Sequence, residues 1–92
     1  MGISETLKAI ADPVRRDILE MLKQEKKSAG EIAEKFNLSN ATVSYHLSQL
    51  KKADLISENR YKNFIYYELN TSVFEDVISW IYRLGGKKNE KD

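Results

Sequence analysis

Apolar residues recur at helical spacing through the first half of the chain. Ile3, Leu7 and Ile10 stand at i, i+4, i+7, the pattern of one face of a short helix, with Ser4 as a candidate cap. Asp12-Pro13 then opens a second helix, since Asp caps well and Pro suits the first helical position. Val14, Ile18, Met21 and Leu22 form its apolar face, and Arg15, Arg16, Asp17, Glu20 and Lys23 fill the rest. The pattern fades in the charged stretch Gln24 to Lys27. Ser28-Ala29-Gly30-Glu31 reads as a capping box, followed by Ala29, Ile32, Ala33 and Phe36 on one face of a helix of about two turns. Asn37-Leu38-Ser39 interrupts this helix, and Asn tolerates a left-handed backbone better than most residues. Ser39 caps a fourth helix, in which Val43, Leu47 and Leu50 face inward and which runs to about Ala53.

After Asp54 the texture changes. Leu55 to Arg60 and Phe64 to Leu69 are rich in branched and aromatic residues, and Tyr61-Lys62-Asn63 separates them as a short turn, so a hairpin is predicted. Asn70-Thr71-Ser72 offers a cap for a last helix. Its stripe of Val73, Val77, Trp80, Ile81 and Leu84 is widened by Phe74 and Ile78, and Gly85-Gly86 ends it. The predicted order is helix, helix, helix, helix, strand, strand, helix. A mainly α fold in which two short helices joined by a tight turn precede a hairpin is a winged helix-turn-helix.

Composition narrows the class further. The chain has 92 residues, enough for one small domain over residues 1–86, with residues 87–92 expected to be a charged disordered tail. At 41% apolar and 32% charged it matches ordinary globular proteins. No apolar run approaches the length of a membrane helix, and the first ten residues lack the basic-then-apolar pattern of a secretory signal, so a cytoplasmic location is expected. There is no cysteine, hence no disulfide and no thiolate metal ligand. One histidine and no Gly-rich phosphate loop leave no constellation for an enzyme, and no cofactor or small-molecule ligand is expected.

Fifteen basic and fourteen acidic residues nearly cancel, so overall charge does not argue for nucleic acid. The distribution does: from Asn37 to Lys52 there is no Asp or Glu. On a helical wheel Ala41, Tyr45, Ser48 and Lys52 face away from the inward stripe, with Thr42, Ser44 and Gln49 beside them. In a helix-turn-helix this second helix enters the major groove, its N-terminal residues toward base edges. Ser39, Asn40, Ala41, Thr42, Ser44, Tyr45, His46, Ser48, Gln49 and Lys52 are therefore the candidate DNA contacts. Gln and Asn can read adenine, while Ser, Thr and Lys can hold bases or phosphates, with Lys35 and Lys51 as further phosphate partners. Arg60, Lys62 and Asn63 at the hairpin tip form a second probe suited to a minor groove or phosphate strand. A polar face alone is also what a solvated helix shows. The capped helix pair before it and the hairpin after it are what point to double-stranded DNA.

These residues resemble the ArsR/SmtB family of bacterial repressors. The matching text is Leu7-Lys8-Ala9-Ile10-Ala11-Asp12-Pro13-Val14-Arg15-Arg16-Asp17-Ile18-Leu19 and Leu38-Ser39-Asn40-Ala41-Thr42-Val43-Ser44-Tyr45-His46-Leu47, with Tyr66-Tyr67-Glu68-Leu69 in the hairpin. The resemblance spans about residues 5 to 84, and within the family the chain looks most like the SdpR-type autorepressors. It implies a homodimer bound to a palindromic promoter operator, with first and last helices packed against their mates. Ile3, Leu7, Phe74, Val77, Ile78 and Ile81 are the candidate dimer contacts. The family often has Gly before the "LS" turn, on the approach to the hairpin and at its tip; Asn37, Asp54 and Lys62-Asn63 stand there instead. Many relatives sense metal through a cysteine pair or through His and carboxylates on the last helix. Here that helix offers Glu75 and Asp76 without His, and His46 lacks converging ligands, so no metal site is expected. The alternative reading is a protein-interaction module whose last helix docks a regulatory partner, such as a membrane-protein antirepressor.

Overall fold

The structure, a computed structural model, describes residues 2–86; the expected tail at 87–92 lies outside them. The elements are α1 (Ile3–Ile10), α2 (Pro13–Gln24), β1 (Lys27–Ser28), α3 (Ala29–Phe36), α4 (Asn40–Lys52), β2 (Ile56–Tyr61), β3 (Phe64–Leu69) and α5 (Thr71–Gly85).

Capping explains most of the helix starts. Asp12 accepts the Arg15 amide at 3.0 Å, with Pro13 in the first turn of α2. At α3 the Ser28 hydroxyl accepts the Glu31 amide at 3.2 Å while the Glu31 carboxylate accepts the Ser28 amide at 2.8 Å, the reciprocal box expected from the sequence. Two expected caps are replaced. Ser4 lies inside α1, whose N-cap is Gly2. Asn70 stands at the N-cap of α5 but its amide donates to the Asp54 carbonyl at 2.9 Å, so its side chain ties the hairpin's entry to its exit instead.

Positive φ occurs, among the described non-glycine residues, at Asn37 (54°), Asp54 (59°) and Lys62 (57°). These are the stretches where the family often has glycine. Asn37 closes α3, and its amide bonds back to the Glu34 carbonyl at 3.4 Å. The hairpin turn is shorter than expected. Tyr61 pairs with Phe64, leaving Lys62 and Asn63 as a two-residue loop with positive φ at its first position.

The sheet also has a strand that the hydrophobic pattern hides. β1 pairs antiparallel with β3, Lys27 opposite Tyr67 and Ser28 opposite Tyr66, giving the order β1-β3-β2. Two residues are too few to show alternation, and Ser28 carries a helix-cap signal at the same time.

The core joins Ala9 of α1, Ile18, Leu19 and Leu22 of α2, Ile32 and Ala33 of α3, and Val43, Leu47 and Leu50 of α4 to Ala53, Leu55 and Ile56. Leu19 belongs to this core in addition to the residues expected from α2. Tyr67 and Leu69 close it from the sheet, and Val73 and Phe74 bring the first turns of α5 onto it.

Candidate nucleic-acid interface

The tight turn at Asn37 sets α3 and α4 against each other, and the burial of Val43, Leu47 and Leu50 fixes which side of α4 faces out. Asn40, Ala41, Ser44, Tyr45, Ser48 and Lys52 are exposed, and Thr42 and Gln49 are half-buried at the edges. Ser39 works as the cap, accepting the Thr42 amide at 3.1 Å while its hydroxyl donates to the Thr42 hydroxyl at 2.9 Å. Ser48 donates to the Tyr45 carbonyl at 3.0 Å. Asn40, Ser44, Tyr45, Gln49 and Lys52 make no side-chain hydrogen bond among the described residues, so their polar groups are available to an incoming surface.

His46 departs from the expected interface. It is only 8% exposed, turned into the protein beside the apolar seam. Its Nδ1 lies 3.2 Å from Nη1 of Arg15. Helix periodicity placed it on the flank of the buried face, and the guanidinium waiting on α2 draws that flank inward. In the sequence pattern Arg15 is simply one of the charges on the polar side of α2.

The wing alternates. Ile56, Glu58 and Arg60 of β2 stand opposite Leu69, Tyr67 and Ile65 of β3 and so share one face. Lys51 at the end of α4 pairs with Glu58 at 2.8 Å, which turns that face toward α4 and takes Lys51 out of the set of free phosphate partners. The hydrogen bond that Lys51 donates to Glu58, above all, raises the Lys51 ammonium above its ordinary range, so the lysine stays charged. Arg60 therefore projects on the same face as this contact, while Lys62 and Asn63 occupy the exposed tip. Tyr61, Phe64 and Tyr66 lie on the opposite face, with the Lys62 ammonium 5.4 Å from the Tyr61 ring centre. The outcome is a neutral-to-basic helix face without acids, flanked by a basic wing tip, with the nearest wing carboxylate already paired.

A second surface lies on α5. Ile78 is 64% exposed and Ile81 51%, with Tyr82 and Leu84 exposed as well. Phe74 is half-buried against the core, and Ile3 and Leu7 of α1 are half-buried. Val77 departs from the expected dimer face: it is 7% exposed within a single chain, because it falls on the inward side of α5. Between α2 and α5 runs a concavity of about 530 Å³, its apolar lining drawn from Ile10, Leu19, Leu69, Phe74 and Ile78. Among the described residues there is no group of three or more His, Cys, Asp or Glu placed to hold a metal ion, and no helix long and apolar enough to cross a membrane.

Comparison with known proteins agrees with this geometry. Residues 10–59 match the family described as a helix-turn-helix domain. The transcriptional repressor SdpR of Bacillus subtilis is 49% identical over 79 residues, covering 86% of this chain and 88% of that protein. The arsenical resistance operon repressor of Staphylococcus aureus is 30% identical over 76 residues, covering 83% of this chain and 73% of that one. A solved ArsR-family transcriptional regulator superposes with a TM-score of 0.80 over 89% of this chain and 84% of its own, at 21% identity, and so supports the fold. With the helix pair, the wing and these relatives in place, the chain belongs to the ArsR family of winged helix-turn-helix transcriptional regulators.

Proposed function

We propose that the protein is a sequence-specific, homodimeric repressor that acts in the cytoplasm on a palindromic operator, including one at its own promoter, without a metal input. The observation that carries the DNA reading is the acid-free outer face of α4, whose Asn40, Ser44, Tyr45, Gln49 and Lys52 are free to bond outward beside the basic wing tip. In this reading α4 lies in the major groove with Ser44 and Gln49 toward base edges and Lys52 on a phosphate. Arg60, Lys62 and Asn63 reach the flanking backbone or minor groove.

The dimer is supported by the exposed Ile78, Ile81, Tyr82 and Leu84, large apolar side chains that one helix of a single chain leaves in water. Two-fold symmetry then sets the two α4 helices about 34 Å apart on half-sites one turn of DNA apart. The same face is what a protein partner would occupy, so behaviour without partners discriminates the two readings.

The test is selection of genomic DNA fragments by the purified protein at about 0.15 M salt, with chelator present. Enrichment of one palindromic motif is the expected result. Enrichment that appears only after metal is added would overturn the metal-independent reading. No enrichment under either condition would shift the function to a protein-interaction module.

A further inference from the structure

Arg15 makes contacts that its place on the polar side of α2 does not suggest. Its Nε donates to the Ala9 carbonyl at 2.7 Å and its Nη2, at a longer 3.4 Å, to the Lys8 carbonyl. Arg16 adds a bond from Nη1 to the Ile10 carbonyl at 2.9 Å. These are the last carbonyls of α1, of which Lys8's also accepts the Ala11 amide at 3.2 Å, and a cation there suits the helix dipole. Thus α2 closes the end of α1 with two guanidinium groups.

The remaining arm of Arg15 reaches α4. Its Nη1 is 3.2 Å from His46 Nδ1. A guanidinium has only donors, so Nδ1 must be the acceptor and the imidazole proton must sit on Nε2. The Nδ1 lone pair is therefore held by the guanidinium. The seam around it is made of Val43, Leu47 and Leu50, where another apolar side chain would pack without needing a partner. A buried polar group carries a desolvation cost that its bond merely offsets, so stability is not what His46 contributes best. What the bond supplies is direction. Val43, Leu47 and Leu50 set which side of α4 faces inward, and this bond narrows the remaining roll about its axis at the middle of the helix. That roll decides whether Ser44, Tyr45 and Gln49 meet base edges or miss them.

We propose that Arg15 and His46 are a positioning pair, linking the end of α1 to the recognition helix and setting specific over non-specific DNA binding. The proposal rests on the DNA-binding reading above. It also places α1 in the control path. Whatever covers α1 or displaces its last turn acts on the Arg15 head group, and through it on the rotation of α4.

The experiment compares wild type with Arg15→Met, His46→Leu, the double variant, and His46→Gln, whose carbonyl oxygen keeps an acceptor. Binding is measured by fluorescence anisotropy on the selected operator and on a scrambled duplex, after thermal melts show each protein folded. Each apolar single variant is expected to lose about tenfold on the operator, the worth of one charge-assisted hydrogen bond, with little change on the scrambled duplex. The double variant is expected to be no worse than the weaker single, and His46→Gln to recover most of the affinity. Additive losses, or equal losses on both duplexes, would overturn the positioning role. ¹⁵N spectra of the imidazole provide a readout that needs no DNA: wild type should show the Nε2–H tautomer with its Nδ1 resonance shifted by the guanidinium bond, and Arg15→Met should lose that shift. A wild-type Nδ1–H tautomer would remove the pair altogether, even where Arg15→Met fails to fold. If the tautomer is as expected but wild type prefers no sequence, it is the DNA reading that fails, and the positioning role with it.

Discussion

At the wing tip the Lys62 backbone has a φ of 57°, a region where glycine is at ease and a lysine is strained. The same lysine carries one of the charges proposed to meet DNA, so the two demands can be separated by one substitution. Lys62→Gly is expected to raise stability by up to about 1 kcal/mol, seen as a higher melting temperature. It should also weaken operator binding and lower the slope of log affinity against log salt by about 1. An unchanged salt slope would remove Lys62 from the interface. On α4 the outward side chains divide by role. Gln49→Ala and Ser44→Ala are expected to relax base preference at particular operator positions, each at a cost of about 1–3 kcal/mol. Lys52→Ala should weaken binding to every sequence alike. A selected motif unaltered by both the Gln49 and Ser44 changes would mean that α4 is rolled differently in the groove. Lys51 is a control of another kind. Its ammonium is engaged by Glu58 at 2.8 Å, so its replacement should change the salt slope less than that of Lys52.

Among the elements, α2 depends most on one side chain. The Asp12 carboxylate caps it, and the bond from the Arg15 amide, first among the causes, holds that carboxyl below its ordinary range. A carboxyl lowered by folding contributes stability above its unfolded pKa of about 4 and loses it as pH falls through the lower folded value. Asp12→Ala is expected to cost about 1 kcal/mol at neutral pH. Asp12→Asn keeps a capping oxygen, so it should nearly match wild type at neutral pH but lose less stability as pH falls below about 4. Denaturation at a series of pH values checks both, and parallel acid curves for wild type and the Asn variant would contradict the assignment. This helix also shows what could be read from the sequence. Asp-Pro, the Ser28 box and the Val43-Leu47-Leu50 spacing are local signals, each generated within a few residues, and the elements they announce are present. The residues that can stand at positive φ were readable for the same reason. The features that escaped are those set by distant partners. β1 exists because β3 passes beside it, Asn70 turns toward Asp54 instead of capping, and His46 is buried because Arg15 faces it from 31 residues away. Val77 shows a related limit: a broad apolar stripe tells that α5 is apolar on two sides, not which side meets its own chain.

For the whole molecule, the exposed α5 face makes assembly the property to measure first in solution. Ile78→Glu or Ile81→Glu is expected to convert a dimer to a monomer at micromolar concentration by analytical ultracentrifugation, leaving the melt cooperative because neither residue lies in the core. With only one half-site engaged at a time, operator affinity should fall by about a hundredfold or more. A wild type that sediments as a monomer would direct the same face to a different protein. One further consequence comes from the short strand at the foot of the wing. Ser28 pairs its backbone with Tyr66 of the wing and caps α3 with its hydroxyl, so the same residue is an anchor for both DNA-facing parts. The wing is tied to the helix pair at this strand and again by the Lys51–Glu58 pair. A base pair inserted between the major-groove core of a half-site and its flank displaces one from the other by about 3.4 Å and a tenth of a turn, and the protein has no joint with which to follow. Such an operator keeps every base that α4 reads yet loses the grip of the wing. If the proposed contacts hold, sites are selected by their length as well as by their letters, and an operator with that one-base-pair insertion is expected to bind more weakly in the anisotropy assay.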